Sequence, residues 1–143
     1  QTVTVEWKES IHYSNSKGIR AGCADCHLAK EFGPKIWRKT QALWIDVPGE
    51  VFGTIDTIEK FEAKRLELAQ DVWAEMKANN SRECRSCHSH EAMKLEDQES
   101  LARKDHEDAL KSGETCIDCH KGVAHHEPVD PSSKEGESDD FSL

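Results

Sequence analysis

CRSCHSHEAMKLEDQESLARKDHEDALKSGETCIDCH, residues 84–120, begins and ends on one pentapeptide pattern: Cys84-Arg85-Ser86-Cys87-His88 and Cys116-Ile117-Asp118-Cys119-His120. A third copy, Cys23-Ala24-Asp25-Cys26-His27, lies upstream, and together the three use all six cysteines. C-x-x-C-H is the attachment pattern of c-type haem, in which two thioether bonds fix one edge of the porphyrin and the adjacent histidine becomes an axial ligand to iron. One copy alone would read equally well as part of a zinc site or as a thioredoxin-like redox pair. Three copies with no cysteine left over favour three covalently bound haems and argue against a disulfide framework. Cys23, Cys26, Cys84, Cys87, Cys116 and Cys119 are then the thioether cysteines, and His27, His88 and His120 the proximal iron ligands. Because this attachment is made outside the bacterial cytoplasmic membrane, the motif also implies a periplasmic location.

The composition agrees. Of 143 residues 36% are hydrophobic and 33% charged, a thin supply of core, so macrocycles are expected to fill much of the interior. The sequence holds no run of about 18 apolar residues and no signal peptide, and Gln1 reads as a processed, trimmed or engineered start. Beyond His126 stand Glu127, Asp130, Glu135, Glu137, Asp139 and Asp140 against Lys134 alone, so over half of the net charge of −9 sits there. With its prolines and serines, the segment 128–143 reads as an acidic disordered tail, and residues 1–127 as the three-haem domain. An acidic chain without a basic patch excludes nucleic acid as a partner.

Periodicity predicts few helices and no strands. Asp56-Thr57-Ile58-Glu59 has the form of a capping box, and Ile58, Phe61, Leu66, Ala69, Val72, Trp73 and Met76 recur near a 3.6-residue period. These predict a long helix over about 57–78. A second is predicted over about 97–111, with Leu101, Ala102, His106, Ala109 and Leu110 on one buried face and Gly113 as its stop. A third, shorter one runs from Lys35 to about Trp44. The expected fold is all-α, with much irregular chain wrapped around the haems, and Trp7, Trp37, Trp44 and Trp73 packed against porphyrin edges.

An internal repeat of a dihaem unit underlies this organisation. His12 precedes Cys23 by 11 residues and His106 precedes Cys116 by 10; each is expected near the end of a short helix and is followed by a glycine turn (Gly18, Gly113) and then C-x-D-C-H. In the second unit Cys84 lies 32 residues before Cys116, and the same offset from Cys23 falls at about position −9, so the repeat predicts a fourth motif before residue 1. Repeat position singles out His12 and His106 as distal iron ligands. His125 and His126 are adjacent alternatives for a third that position cannot separate. His90 follows its motif too closely to reach the far face of its own haem and reads as a surface or propionate-contacting residue, and Met93 is a soft alternative at the haem of His88.

Several stretches beyond the motifs are also recognisable: Ile11-His12-Tyr13-Ser14-Asn15, Gly53-Thr54-Ile55-Asp56-Thr57, EKFEAKRL at 59–66, Met76-Lys77-Ala78-Asn79 and CIDCHKG at 116–122. With Cys23–His27 they resemble the soluble part of the NapC/NirT family of membrane-anchored multihaem cytochromes, over about residues 5–127. The resemblance implies a four-haem domain behind a membrane helix, oxidising quinol and passing electrons to periplasmic reductases. The family's membrane helix and first haem motif, the one nearest the quinol, have no counterpart in residues 1–143. The implied activity is therefore the downstream three-haem relay, between a quinol-side donor or membrane haem and a periplasmic reductase or other redox protein. Membrane attachment would come only through a segment outside this sequence. The resemblance also implies ligands exchanged between the two halves: His12 to the haem of His120, His106 to that of His27, and His125 to that of His88. Lys30 and Glu31 stand where some family members carry a further histidine. Iron held by two histidines leaves no site open to substrate, so electron transfer rather than catalysis is expected. A soluble three-haem shuttle without quinol chemistry and a multihaem reductase with one open haem are the alternatives.

Overall fold

The computed structural model describes residues 2–130, so the expected acidic tail lies outside the described residues except for its first three positions. The described chain forms α1 (Thr2–Glu9), α2 (Cys23–His27), α3 (Phe32–Val51), α4 (Ile58–Ala78), α5 (Arg82–Arg85), α6 (Ser100–Ser112) and α7 (Cys116–Cys119), with no strand among the described residues. Single 3-10 turns stand at His90–Ala92 and Leu95–Asp97.

The long helix α4 forms where its periodicity predicts, with Phe61, Leu66, Ala69, Val72, Trp73 and Met76 half-buried on one face. Its cap differs from the expected box. Thr57, not Asp56, is the N-cap, its hydroxyl accepting the Lys60 N–H at 3.3 Å, while the Asp56 carboxylate takes the Lys60 ammonium at 2.7 Å. At the end of α6, Gly113 adopts φ +78°, a conformation costly for any residue with a Cβ, and turns the chain towards α7. Helix α3 runs well past its expected stop near Trp44 and carries Pro48 in its interior, where a proline removes a helical hydrogen bond. Helix α1 is the short helix that the repeat places ahead of His12, although its Thr-Val-Thr-Val run opposes helix formation. Tertiary contacts hold it: Trp7 Nε1–H donates to the Ala21 carbonyl at 2.9 Å, and the Trp7 and Tyr13 rings meet edge to face at 4.7 Å.

Only Ala29 and Ile117 are buried apolar residues among those described, whereas three polar ones, Glu6, Ser81 and Glu83, are buried too. Trp37 and Trp44 on α3 and Leu101 and Leu110 on α6 remain exposed, so neither the expected α6 face nor half of the tryptophans is covered by protein. What replaces a core is a set of polar ties at the junction of α4, α5 and α7. Asn80 and Ser81 both take positive φ, reversing the chain after α4, and the Ser81 hydroxyl accepts the Ile117 N–H at 3.2 Å. Glu83 receives Arg82 Nη2 at 2.6 Å and Asn79 Nδ2 at 2.9 Å. Helix α2 packs on α5, and α4 on α7.

Candidate haem sites

The first and third C-x-x-C-H motifs open the short helices α2 and α7, whereas the second starts inside α5 and runs out of it, and the residue before the second cysteine helps secure each turn. In the first motif the Asp25 carboxylate reaches back to accept the Gly22 N–H at 2.9 Å. In the third, Asp118 accepts the Thr115 N–H at 2.8 Å and hydroxyl at 2.9 Å, and also takes Lys77 Nζ at 2.6 Å from α4. The Lys77 ammonium, with the Thr115 bonds behind it, brings the Asp118 pKa down to about 2. The second motif has Ser86 at this place, and its hydroxyl donates to the Glu83 carbonyl at 2.7 Å.

None of the six cysteines is joined to another in a disulfide. Burial, and then neighbouring acidic groups, raises the thiol pKa of Cys26 and of Cys84. The neighbours that Cys26 feels include Cys87, and those that Cys84 feels include both Cys116 and Cys26, so the second motif lies between the first and the third. A small crevice beside the first motif is lined by Cys26, His27, Arg38, Glu75 and Met76. Loss of hydration, then the charges of His125 and Arg38, lower the pKa of His27 and favour the neutral imidazole that binds metal.

Three histidine pairs stand out. His27 faces His125 with ring centroids 6.2 Å apart and planes inclined by 33°. His88 faces His12 at 6.3 Å and 84°, and His120 faces His106 at 5.8 Å and 26°. Each pair joins one C-x-x-C-H histidine to one from elsewhere. The partners differ from the exchange that the resemblance implies: His12 is beside His88 rather than His120, His125 beside His27 rather than His88, and His106 beside His120 rather than His27. The reason lies in the chain path. α6 and α7 form one hairpin about Gly113, which returns His106 to its own motif. The segment after α7 instead runs back between α1 and α2 and meets both His12 and His27.

Hydrogen bonds orient two of the outlying rings. His106 Nδ1–H donates to Gln98 Oε1 at 2.7 Å, and His12 Nδ1–H to the Val123 carbonyl at 3.2 Å, so Nε2 is the free nitrogen of each. His125 Nδ1 is shielded from solvent without a hydrogen-bond partner and lies 4.0 Å from Glu6 Oε2. His126 is different: 73% exposed, it turns Nδ1 to Glu6 at 3.7 Å and Nε2 to Glu9 at 3.9 Å. His90 belongs to none of the pairs and opens a 3-10 turn. Gln98, Val123 and Glu6 carry no sequence signal for these roles, since each acts through a contact that only the fold creates.

These residues fit haem. A first-row metal binds an imidazole nitrogen at about 2.0–2.1 Å; doubling that bond and adding about 1 Å for the half-width of each ring gives roughly 6 Å between centroids. The three observed separations match this span. Cysteines with two residues between them, none in a disulfide and beside apolar surface that no side chain covers, are the remaining donors and walls that such a group requires.

An all-α chain with three such motifs, facing imidazoles and almost no apolar core has the make-up of a multihaem c-type cytochrome, a protein of electron transport. Residues 1–130 match the NapC/NirT cytochrome c family, N-terminal region, and the chain belongs to that family. It is 56% identical over 131 residues to a protein of Allochromatium vinosum described as tetraheme cytochrome-c type, covering 92% of this chain and 71% of that one. It is 53% identical over 127 residues to the cytochrome c-type protein NapC of Escherichia coli, and 54% over 126 residues to the denitrification system component NirT of Stutzerimonas stutzeri. These matches cover 89% and 86% of this chain but only 63% and 61% of those relatives. No solved structure matches. Among the described residues no helix is long and apolar enough to cross a membrane.

Proposed function

We propose that this chain binds three c-type haems through Cys23 and Cys26, Cys84 and Cys87, and Cys116 and Cys119, and relays electrons through them in the periplasm. The donor is on the quinol side and the acceptor a periplasmic reductase, as the relation to NapC and NirT suggests. The observation that carries this reading is the set of three imidazole pairs at 5.8–6.3 Å, each containing one motif histidine. His27, His88 and His120 are the proximal ligands, and His125, His12 and His106 their respective distal partners. Haem iron held by two imidazoles supplies a one-electron couple whose coordination stays the same in both oxidation states.

The protein's own groups do the rest. Gln98 and the Val123 carbonyl hold Nδ1 of His106 and His12, which sets the tautomer and aims Nε2 at the motif histidine opposite. The packing of α2 on α5 and the Ser81–Ile117 bond keep the three motifs adjacent, with the second in the middle, and short separations favour transfer along the series. Every motif histidine faces a second imidazole, which argues against a substrate-binding iron and against the reductase alternative.

The test combines a pyridine haemochrome count with the paramagnetic resonance spectrum of the oxidised protein. Three haems per chain, all low-spin with two nitrogen axial ligands, are expected. Fewer than three haems, or a high-spin signal in the unaltered protein, would overturn the reading.

A further inference from the structure

Glu6 is 6% exposed, and a carboxylate is among the groups least often found buried. It sits in α1 and is fixed by two other parts of the chain. Arg65 Nη2, from α4, donates to Glu6 Oε2 at 2.5 Å, and the His126 N–H donates to the same oxygen at 2.9 Å. Arg65 Nη2 also donates to the His126 carbonyl at 2.9 Å. The pair therefore takes both backbone polar groups of His126 and pins the segment that carries His125. Arg65 Nη1 also binds Glu62 at 3.1 Å, and the His126 ring faces Glu6 and Glu9, so three carboxylates surround one guanidinium and the cluster keeps a net negative charge.

From this arrangement we propose that Glu6, clamped by Arg65, is a positioning residue for His125 that lowers the reduction potential of the haem anchored at His27. The inference rests on the reading that His27 and His125 share one iron. His12 and His106 already give their Nδ1–H to neutral oxygens, of Val123 and Gln98. His125 alone has its Nδ1 shielded, unpaired and 4.0 Å from an anion. A buried N–H without an acceptor is costly, and a small rotation of the ring brings the carboxylate within reach. A carboxylate behind a ligating imidazole fixes its orientation and raises its basicity. Both that basicity and the nearby negative charge favour ferric over ferrous iron, so the sign of the effect is a lower potential.

The experiment is a spectropotentiometric titration of the haem-loaded Glu6→Gln variant beside the parent, with paramagnetic resonance of the oxidised forms. Glu6→Gln keeps the shape and a hydrogen-bond acceptor but removes the charge. Expected are an unchanged haem count, retained low-spin signals, and one potential of the three shifted upward while two stay in place. Three parent-like potentials, or three that shift together, overturn the inference. Should Glu6→Gln not accumulate, Glu6→Asp retains the charge but withdraws it by one methylene; it is expected to shift the same potential by less, and parent-like values again overturn the proposal. His125→Ala separates this failure from that of the underlying reading: if every ferric haem of that variant stays low-spin, His125 is not a ligand and the reading itself falls.

Discussion

His12 and His106 occupy matching places in the repeat, yet one pair stays within its unit and the other crosses the molecule. His106 faces His120 across a single hairpin, whereas His12 faces His88 and His27 faces His125, each joining the first half of the chain to the second. The local conformations differ as well. His106 is two turns inside α6, while His12 follows α1 in a turn where the Tyr13 and Ser14 amides both bond to the Ser10 carbonyl. Matching sequence positions thus single out the two histidines without naming the imidazoles they face. One pair closes a short local loop, and under the proposed function the other two brace the halves of the chain beside polar ties such as Arg65–Glu6 and Ser81–Ile117.

The largest expected effect tests whether the cross-braces are needed at all. Each fully buried apolar side chain contributes about 1.5–3 kcal/mol, and among the described residues Ala29 and Ile117 are the only buried apolar ones. Fixing the backbone costs about 1–2 kcal/mol per residue. The chain produced with all six cysteines changed to serine, and hence without covalent haem, should therefore lose most of its far-ultraviolet helical signal and expose its amides to rapid exchange. A haem-free chain that melts cooperatively with native helix content would break the comparison, because the halves would then hold without iron between them.

The second test sets the pairs against one another. As axial bonds, His106–His120 closes a loop of about 15 residues and His27–His125 one of about 100, and chain-entropy arguments give about 3 and about 4.7 kcal/mol for cross-links of those lengths. His106→Ala, His12→Ala and His125→Ala should each produce one high-spin ferric haem. His12→Ala and His125→Ala should also melt lower than His106→Ala by several degrees, since about 1 kcal/mol moves Tm by roughly 3–6 °C at this size. Equal melting temperatures would mean that the crossing pairs do not brace the fold.

What could be read in advance follows the same division between local and crossing features. α4 and the Gly113 stop of α6 depend on neighbours in sequence, and their signals are local: a 3.6-residue period and a glycine at positive φ. The all-α class follows from these. The pairing of His12 with His88 and the clamp of Glu6 by Arg65 are set by contacts between distant segments. In α1 such contacts override a run of β-branched residues. The extension of α3 beyond Trp44 carries it through Pro48, which local signals disfavour, and Leu101 and Leu110, expected on a buried face of α6, are exposed because no other described element covers them.

The smallest expected effect concerns the two aspartates of C-x-D-C-H, which the repeat makes equivalent and the fold does not. Asp25 secures only its own turn through the Gly22 amide, while Asp118 also ties α7 to α4 through Lys77. Asp118→Asn should accordingly lower Tm more than Asp25→Asn at neutral pH. The pKa of Asp118 is depressed, from 3.8 to about 2. A depressed carboxyl stabilises the fold above its unfolded value, and that contribution fades as the pH falls through the folded one. The gap between the parent and Asp118→Asn should therefore be full above pH 3.8 and close as the pH approaches about 2. A gap that persists unchanged in acid would show that the Asp118 side chain acts through its shape and the Thr115 bonds rather than through its charge, and that the two units are more alike than the Lys77 contact makes them.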